Sequence, residues 1–230
     1  MKLTFASYNI HKAVGLDRKR DPDRILSVLH ELDADVVALQ EVDRRFGVRE
    51  SVLPRQAIEE HGWQIAPLRT RPASIGWHGN AILVRRGIEI EGAEPIALPR
   101  LEPRGAVCAH LKIEGRLVHV VGMHLDLSGI RRVHQVEAIC SHLKVQPGPA
   151  VLMGDFNEWS ARAGCLHAFG KDWTVLSPGN SFPSRRPLAQ LDRIVHSPGW
   201  QCAEVGVHHS VLAAKASDHL PVAARLVLTA

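Results

Sequence analysis

Short apolar runs of four to six β-prone residues, each bordered by a polar cluster, recur along this chain. Leu3–Ser7 runs into Tyr8-Asn9, and Val36–Leu39 into Gln40-Glu41. Ala81–Val84 follows Gly79-Asn80, and Val118–Met123 ends at His124. Ala150–Met153 ends at Gly154-Asp155, and Leu191-Asp192 opens Ile194-Val195. Such lengths and compositions predict buried strands rather than helices. Further strands are expected after Arg104 and, at the C-terminus, after Pro221. Helical spacing is clearest in two stretches. Asp21-Pro22 reads as an N-cap with a first-turn proline, and Ile25, Leu26, Val28, Leu29 and Leu32 follow on one face. Gly129–Leu143 carries Ile130, Val133, Val136 and Ile139 at intervals of three, which assigns Arg131, Arg132 and His134 to a solvated face. Pro147-Gly148-Pro149 then forces a turn. Many strands with few helices predict an α+β fold, helices packed outside stacked sheets.

No linker, repeat or low-complexity tract divides the 230 residues, so one domain over 1–230 is expected. At 45% hydrophobic and 23% charged residues the chain can bury a full core without disulfides or structural metal. A net charge of +4 permits an anionic partner but falls short of a basic nucleic-acid arm or a polybasic membrane tether. Aromatic residues at 5% argue against a base-stacking platform. Cys108, Cys140, Cys165 and Cys202 form no CxxC pair, which points to reduced thiols. With no signal-peptide pattern or membrane-length run, a cytoplasmic location is expected. Fourteen histidines against one tyrosine suggest zinc, yet neither HExxH, HxH nor a familiar Cys/His spacing is apparent.

Five segments carry candidate chemistry. In Gly154-Asp155-Phe156-Asn157, an extended backbone would point Asp155 and Asn157 to one side, where they could hold a water and a phosphoryl oxygen. The same triplet also makes an ordinary Asx turn. Ser217-Asp218-His219 offers a ligand or base beside an imidazole, or simply loop residues entering an edge strand. Glu41, at the end of an apolar strand, suits a hard cation or a surface cap. Alternation would place His124 and Asp126 on one face. Asp192 enters an apolar strand and, if buried, needs a partner such as His219.

Taken in order, Asn9, Gln40-Glu41, Gly79-Asn80-Ala81, His124, Gly154-Asp155-Phe156-Asn157, Leu191-Asp192-Arg193-Ile194 and Ser217-Asp218-His219 resemble the endonuclease/exonuclease/phosphatase superfamily, from residue 3 to residue 228. That group includes pancreatic-type deoxyribonuclease, abasic-site endonucleases, neutral sphingomyelinases and inositol polyphosphate 5-phosphatases. The resemblance implies a four-layer αββα sandwich: two stacked, mostly antiparallel sheets flanked by helices, with a metal-dependent phosphoesterase site at one edge.

Carried over by resemblance, Glu41 binds Mg²⁺ or Mn²⁺ with Asn9 and Asp218 close by. Asp155 orients or deprotonates the attacking water, and Asn157 holds it or a phosphoryl oxygen. His219, oriented by Asp192, contacts the scissile phosphate, and the base is either Asp155 or the His219–Asp192 pair. His124 stabilises the pentacovalent oxygens or protonates the leaving group. Asn80, Arg104 and His11 are expected to bind substrate, with Lys12, His78, Arg100 and Arg185-Arg186 as further candidates. The implied activity is hydrolysis of a phosphodiester in a nucleic acid, a phospholipid head group or a small organophosphate. A monomer without an obligate protein partner is expected. The rival from another class is a phosphate-binding module without turnover. Two departures lower a DNA-repair reading. His11 stands where abasic-site endonucleases carry an acidic residue, and Ser181-Phe182-Pro183-Ser184 replaces their tryptophan-rich segment.

Overall fold

The computed structural model of the chain describes residues 1–44, 47–68, 72–99, 104–160 and 163–229. In order these form β1 (Lys2–Asn9), α1 (Pro22–Leu32), β2 (Val36–Gln40), α2 (Arg55–Glu60), β3 (Trp63–Ile65), β4 (Ala81–Arg85), β5 (Glu89–Ile96) and β6 (Gly105–Ile113). Then come β7 (Arg116–His124), α3 (Gly129–Lys144), β8 (Ala150–Asp155), β9 (Thr174–Leu176), β10 (Asp192–His196), β11 (Trp200–Val207), α4 (Ala213–Ala216) and β12 (Val222–Leu228). Among the described residues the strands make two six-stranded sheets, ordered β11-β12-β1-β2-β4-β3 and β5-β6-β7-β8-β10-β9. The pairs β1–β2 and β7–β8 are parallel, bridged by α1 and α3, and the other pairs are antiparallel. Both sheets thus repeat one connectivity: a strand, a crossover helix, a parallel strand, then a hairpin inserted in reverse order.

Side-chain alternation sorts the core into three layers. On β1, β2 and β8, the residues Leu3, Phe5, Val36, Ala38, Val151 and Met153 point between the sheets. Their neighbours Ala6, Tyr8, Val37 and Leu39 point outward to α1, while Ala150 and Leu152 face the side covered by α3. Strands buried on both faces read as continuous apolar runs, which is why their sequences stood out. The sheets approach closely at Gly122, where a Cβ atom would lie 3.1 Å from the Ala38 Cβ and 3.3 Å from the Ile82 side chain. This is the expected αββα sandwich.

The four edge strands, β3, β5, β9 and β11, carried no apolar run to announce them. β5 (EIEGAEPI) alternates acidic residues with small ones and contains Pro95, features that suit an edge. β12 lies between β11 and β1, so Asp218-His219 leads into an interior strand and not an edge.

Helix α1 forms as its pattern predicts, with the Asp21 side chain accepting a hydrogen bond from the Arg24 amide at 3.0 Å. The register of α3 differs from expectation. Ile130 is 74% exposed and Arg132 only 7%, while Val136, Ile139 and Leu143 reach the core. The cause is a polar clamp that draws Arg132 inward. Arg132 Nη2 lies 3.0 Å from Glu158 Oε2, and Nη1 donates to the Leu127 carbonyl at 2.8 Å. Glu158 also accepts the amides of Ser160 and Cys165 at 3.0 and 3.2 Å. No helix of the described residues is long and apolar enough to cross a membrane.

Removing one partner of this buried pair leaves the other uncompensated. Glu158→Ala is therefore expected to lower unfolding free energy by about 3–5 kcal/mol. Arg131→Ala, on the same helix, should stay within about 0.5 kcal/mol of wild type. Urea unfolding followed by circular dichroism reads both.

Candidate active site

Strand register gathers the motif residues. The parallel pairs align Asn9 with Gln40 and His124 with Asp155, so these C-terminal strand ends share one end of the sheets. The antiparallel pairs bring strand beginnings to the same place: Ala81 beside Leu39, Gly105 beside His124, Asp192 beside Asp155 and Val222 beside Ser7. Gly154 is required here, because a Cβ would fall 1.9 Å from the Met123 carbonyl oxygen.

Asp155 is the meeting point. It is 2% exposed, and its Oδ2 accepts a hydrogen bond at 3.0 Å from Asn9 Nδ2, which comes from the opposite sheet. The Nε2 atoms of His124 and His219 lie 3.3 and 3.6 Å from the same oxygen. Its Oδ1 accepts the Asn157 amide at 2.9 Å. His219 Nδ1 donates to Asp192 Oδ2 at 2.8 Å, and Ser181 Oγ donates to that oxygen at 2.5 Å. The Phe182 ring packs on His219 with centroids 4.8 Å apart.

The two imidazoles are tuned in opposite directions. Burial opposes charge on His219, but Asp192, Asp155 and Asp218 outweigh it and raise the imidazole to about 10. Burial drives His124 down to about 3; Asp155 opposes that shift, while Arg104, whose guanidinium contacts His124 Nε2, reinforces it. One histidine is a cation at neutral pH and its neighbour a neutral ring.

The outer part of the site is richer in oxygen. Glu41 is paired with the ammonium of Lys12, and both are partly exposed. Asp218 lies 3.9 Å from His11 Nδ1, which itself bonds the Val14 carbonyl at 3.0 Å. Ser217 Oγ ties this loop to the Asn9 carbonyl at 2.7 Å. His11, Lys12, Ala13, Glu41, His78 and Asn157 all have φ between 45° and 59°. Left-handed backbone in non-glycine residues costs of order 1–3 kcal/mol and concentrates at functional sites. Here it gathers in the loops around Asp155.

The placing of three residues differs from the simplest strand reading. Strand β8 ends at Asp155, so Asn157 does not project alongside it; the segment is an Asx turn, and Asn157 Nδ2 donates to the Leu125 carbonyl at 2.9 Å. Asn80, expected to bind substrate, is fully buried, and its Nδ2 contacts the Trp77, His78 and Gly105 carbonyls, which brace the loop. Strand β7 ends at His124, and Asp126 accepts the Ser128 amide at 2.9 Å where α3 begins. Arg185 and Arg186 are exposed, and Arg100 lies outside the described residues. Ser181 and Phe182 were missed as site residues, because a serine and a phenylalanine in a loop carry no signal of their own.

A group whose pKa rises on folding stabilises the fold below its unfolded value, near 6.5, and that contribution is lost as pH rises through the folded value. In chelator-treated protein, His219 should remain an imidazolium by NMR past about pH 8, and Asp192→Asn should lower its midpoint by more than about one unit. Urea stability should also fall more between about pH 8 and pH 10.5 in wild type than in His219→Gln. A neutral His219 near pH 7 would contradict this electrostatic reading.

Comparison with known proteins agrees with this fold. Residues 6–219 match the model of the Endonuclease/Exonuclease/phosphatase family. The uncharacterized protein YbhP of Escherichia coli (strain K12) is 26% identical over 211 residues, covering 81% of each chain. Among solved structures, the Bacteroides thetaiotaomicron mannosyl-6-phosphatase Bt3783 superposes with a TM-score of 0.74 at 21% identity, covering 98% of this chain and 100% of that one. D. rerio TDP2 complexed with single strand DNA product gives 0.74 at 17% identity, covering 98% and 99%. Fold, ordered motifs and family model agree, and the chain belongs to the endonuclease/exonuclease/phosphatase family.

Proposed function

We propose that this chain is a divalent-metal-dependent phosphoesterase that hydrolyses a phosphodiester by in-line attack of water. The observation that carries the reading is Asp155: a buried carboxylate faced by Asn9, His124 and His219, with Asp192 behind His219.

Mg²⁺ and Mn²⁺ take oxygen ligands. Glu41, which already pairs with the Lys12 ammonium, would hold such an ion together with Asp218 and the Asn9 carboxamide oxygen, donors of the right chemistry. Asp155, Asp192 and His219 also bring donor atoms within 4.8 Å of one another, but they fit it poorly. Asp192 holds His219 Nδ1 at 2.8 Å, and the surrounding carboxylates favour the imidazolium, a form with no lone pair to give. When bound, the ion supplies Lewis-acid polarisation of a phosphoryl oxygen and eases deprotonation of water.

The protein residues do the rest. Asp155 orients the attacking water and accepts its proton. His219, locked by Asp192, donates to a phosphoryl oxygen as negative charge develops there. Arg104 and His124 face the oxygens from the other side; His124, being neutral, is a poor acid for the leaving group. His11 and Lys12 bias the mouth towards anions.

A sugar phosphatase and a DNA-bound protein share this fold, so the substrate panel must span both kinds of ester. It comprises bis-nitrophenyl phosphate, plasmid and abasic DNA, RNA, phosphatidyl and sphingosyl diesters, and inositol and sugar phosphates, each with Mg²⁺ or Mn²⁺. Turnover of a diester is expected, with Asp155→Asn and His219→Ala each lowering kcat by about 10²–10⁴. Glu41→Ala should raise the metal concentration needed. Wild-type turnover in His219→Ala would overturn the site, and tight phosphate binding without turnover would favour the binding-module alternative.

A further inference from the structure

A second group of metal-ligating side chains lies farther along the sheet that carries His124 and Asp155, with Cys108 on its α3-covered face. Cys108 and His110 are two residues apart on β6 and share a face. His119 on β7 is the direct cross-strand partner of His110, and Glu94 on β5 is that of Cys108. From the helix above, His142 Nε2 comes within 3.0 Å of Glu94 Oε1. One donor atom from each of Cys108, His110 and His119 lies within 4.8 Å of the others. His119 stands five residues along β7 from His124, roughly 16 Å at the rise of a strand.

We propose that Cys108, His110 and His119 form a binding site for a transition-metal ion of the Zn²⁺ class, separate from the phosphoesterase centre. The orientation of the two rings carries the argument. His119 Nε2 lies 2.9 Å from the Pro147 carbonyl, which fixes the proton on that nitrogen and leaves Nδ1 as a bare lone pair. That lone pair faces His110 Nδ1 at 2.8 Å. His110 Nε2 in turn lies 3.4 Å from Glu94 Oε1. Two imidazoles presenting Nδ1 to one point, with the outer nitrogens directed at a carbonyl and a carboxylate, is the pattern that orients histidine ligands around a metal.

The third donor is the buried Cys108 sulfur, held as a thiol because burial and Glu94 raise it to about 12. Coordination replaces its proton. Binding one M²⁺ releases the thiol proton to solvent and moves the His110 proton from Nδ1 to Nε2, where Glu94 accepts it. One sulfur and two imidazole nitrogens suit Zn²⁺ or Co²⁺ far better than Mg²⁺. A cavity of about 470 Å³, lined by Glu91, His110, Lys112, Gly115, Leu117 and Gln146, opens beside His110.

The test is a Co²⁺ titration of the reduced, chelator-treated full chain, read by absorption. Wild type should develop a thiolate-to-cobalt charge-transfer band that saturates at one equivalent and is bleached by Zn²⁺. The oxygen-only site at Glu41 and Asp218 cannot produce such a band, so the double variant Glu41→Gln/Asp218→Asn should retain it. Cys108→Ser, checked for folding by circular dichroism, should lose it, and Glu94→Gln should weaken cobalt affinity by about 10–100-fold. No band in wild type, or a band unchanged in Cys108→Ser, would overturn the proposal and leave the cluster as hydrogen-bonded packing.

Discussion

A buried carboxylate has to be satisfied, and the placing of Asp155 between two sheets turns that requirement into architecture. An isolated charge in such surroundings would cost several kcal/mol. Asp155 meets the demand with the Asn9 carboxamide of the opposite sheet, the Asn157 amide of its own loop and two imidazoles. The Asn9 bond fastens β1 to β8 where both strands end, so the end of the sandwich that gathers the motif residues is also where the sheets are tied together. Close approach of the sheets is maintained by small residues, Gly122 against Ala38, while Gly154 lets β8 pass the Met123 carbonyl of its neighbour β7. The strained loops carrying Glu41, Lys12 and His11 are held above this anchor.

What could be read from the chain follows burial. Interior strands such as β1, β2 and β8, sealed on both faces, leave apolar runs, whereas β12 is open on one face and was expected from the motif before it. The four edge strands are half-solvated and carry charged or small residues, so the same period-two signal is diluted. Helix α3 shows how a pattern misleads: Ile130 fits the apolar stripe by spacing, yet Arg132 takes the inner position because Glu158 waits there. Spacing reports which side chains are apolar, and a buried ion pair reverses that rule locally.

At the site, a physical need was more informative than a motif. Asp192 in an apolar strand required a partner, and the structure puts His219 at 2.8 Å. Other features are silent in sequence because they belong to backbone geometry or to register. Left-handed φ at Glu41 and His11 has no glycine to mark it. Ser181 and Phe182 matter only because their loop folds onto Asp192 and His219. The Cys108–His110–His119 cluster hides for the same reason: its third member arrives from the neighbouring strand, so the histidine excess never condensed into a linear motif.

The central claim is that the Asp155 end of the sandwich is a single phosphoryl-transfer site with its metal on the oxygen side. A crystal structure with Mn²⁺ and inorganic phosphate, using anomalous scattering to locate the ion, tests it most directly. The expected result is a manganese peak bounded by Glu41 and Asp218, with phosphate oxygens against His219 and Arg104. Manganese bound instead by Asp155, Asp192 and His219, or phosphate seated away from this end of the sheets, would contradict it.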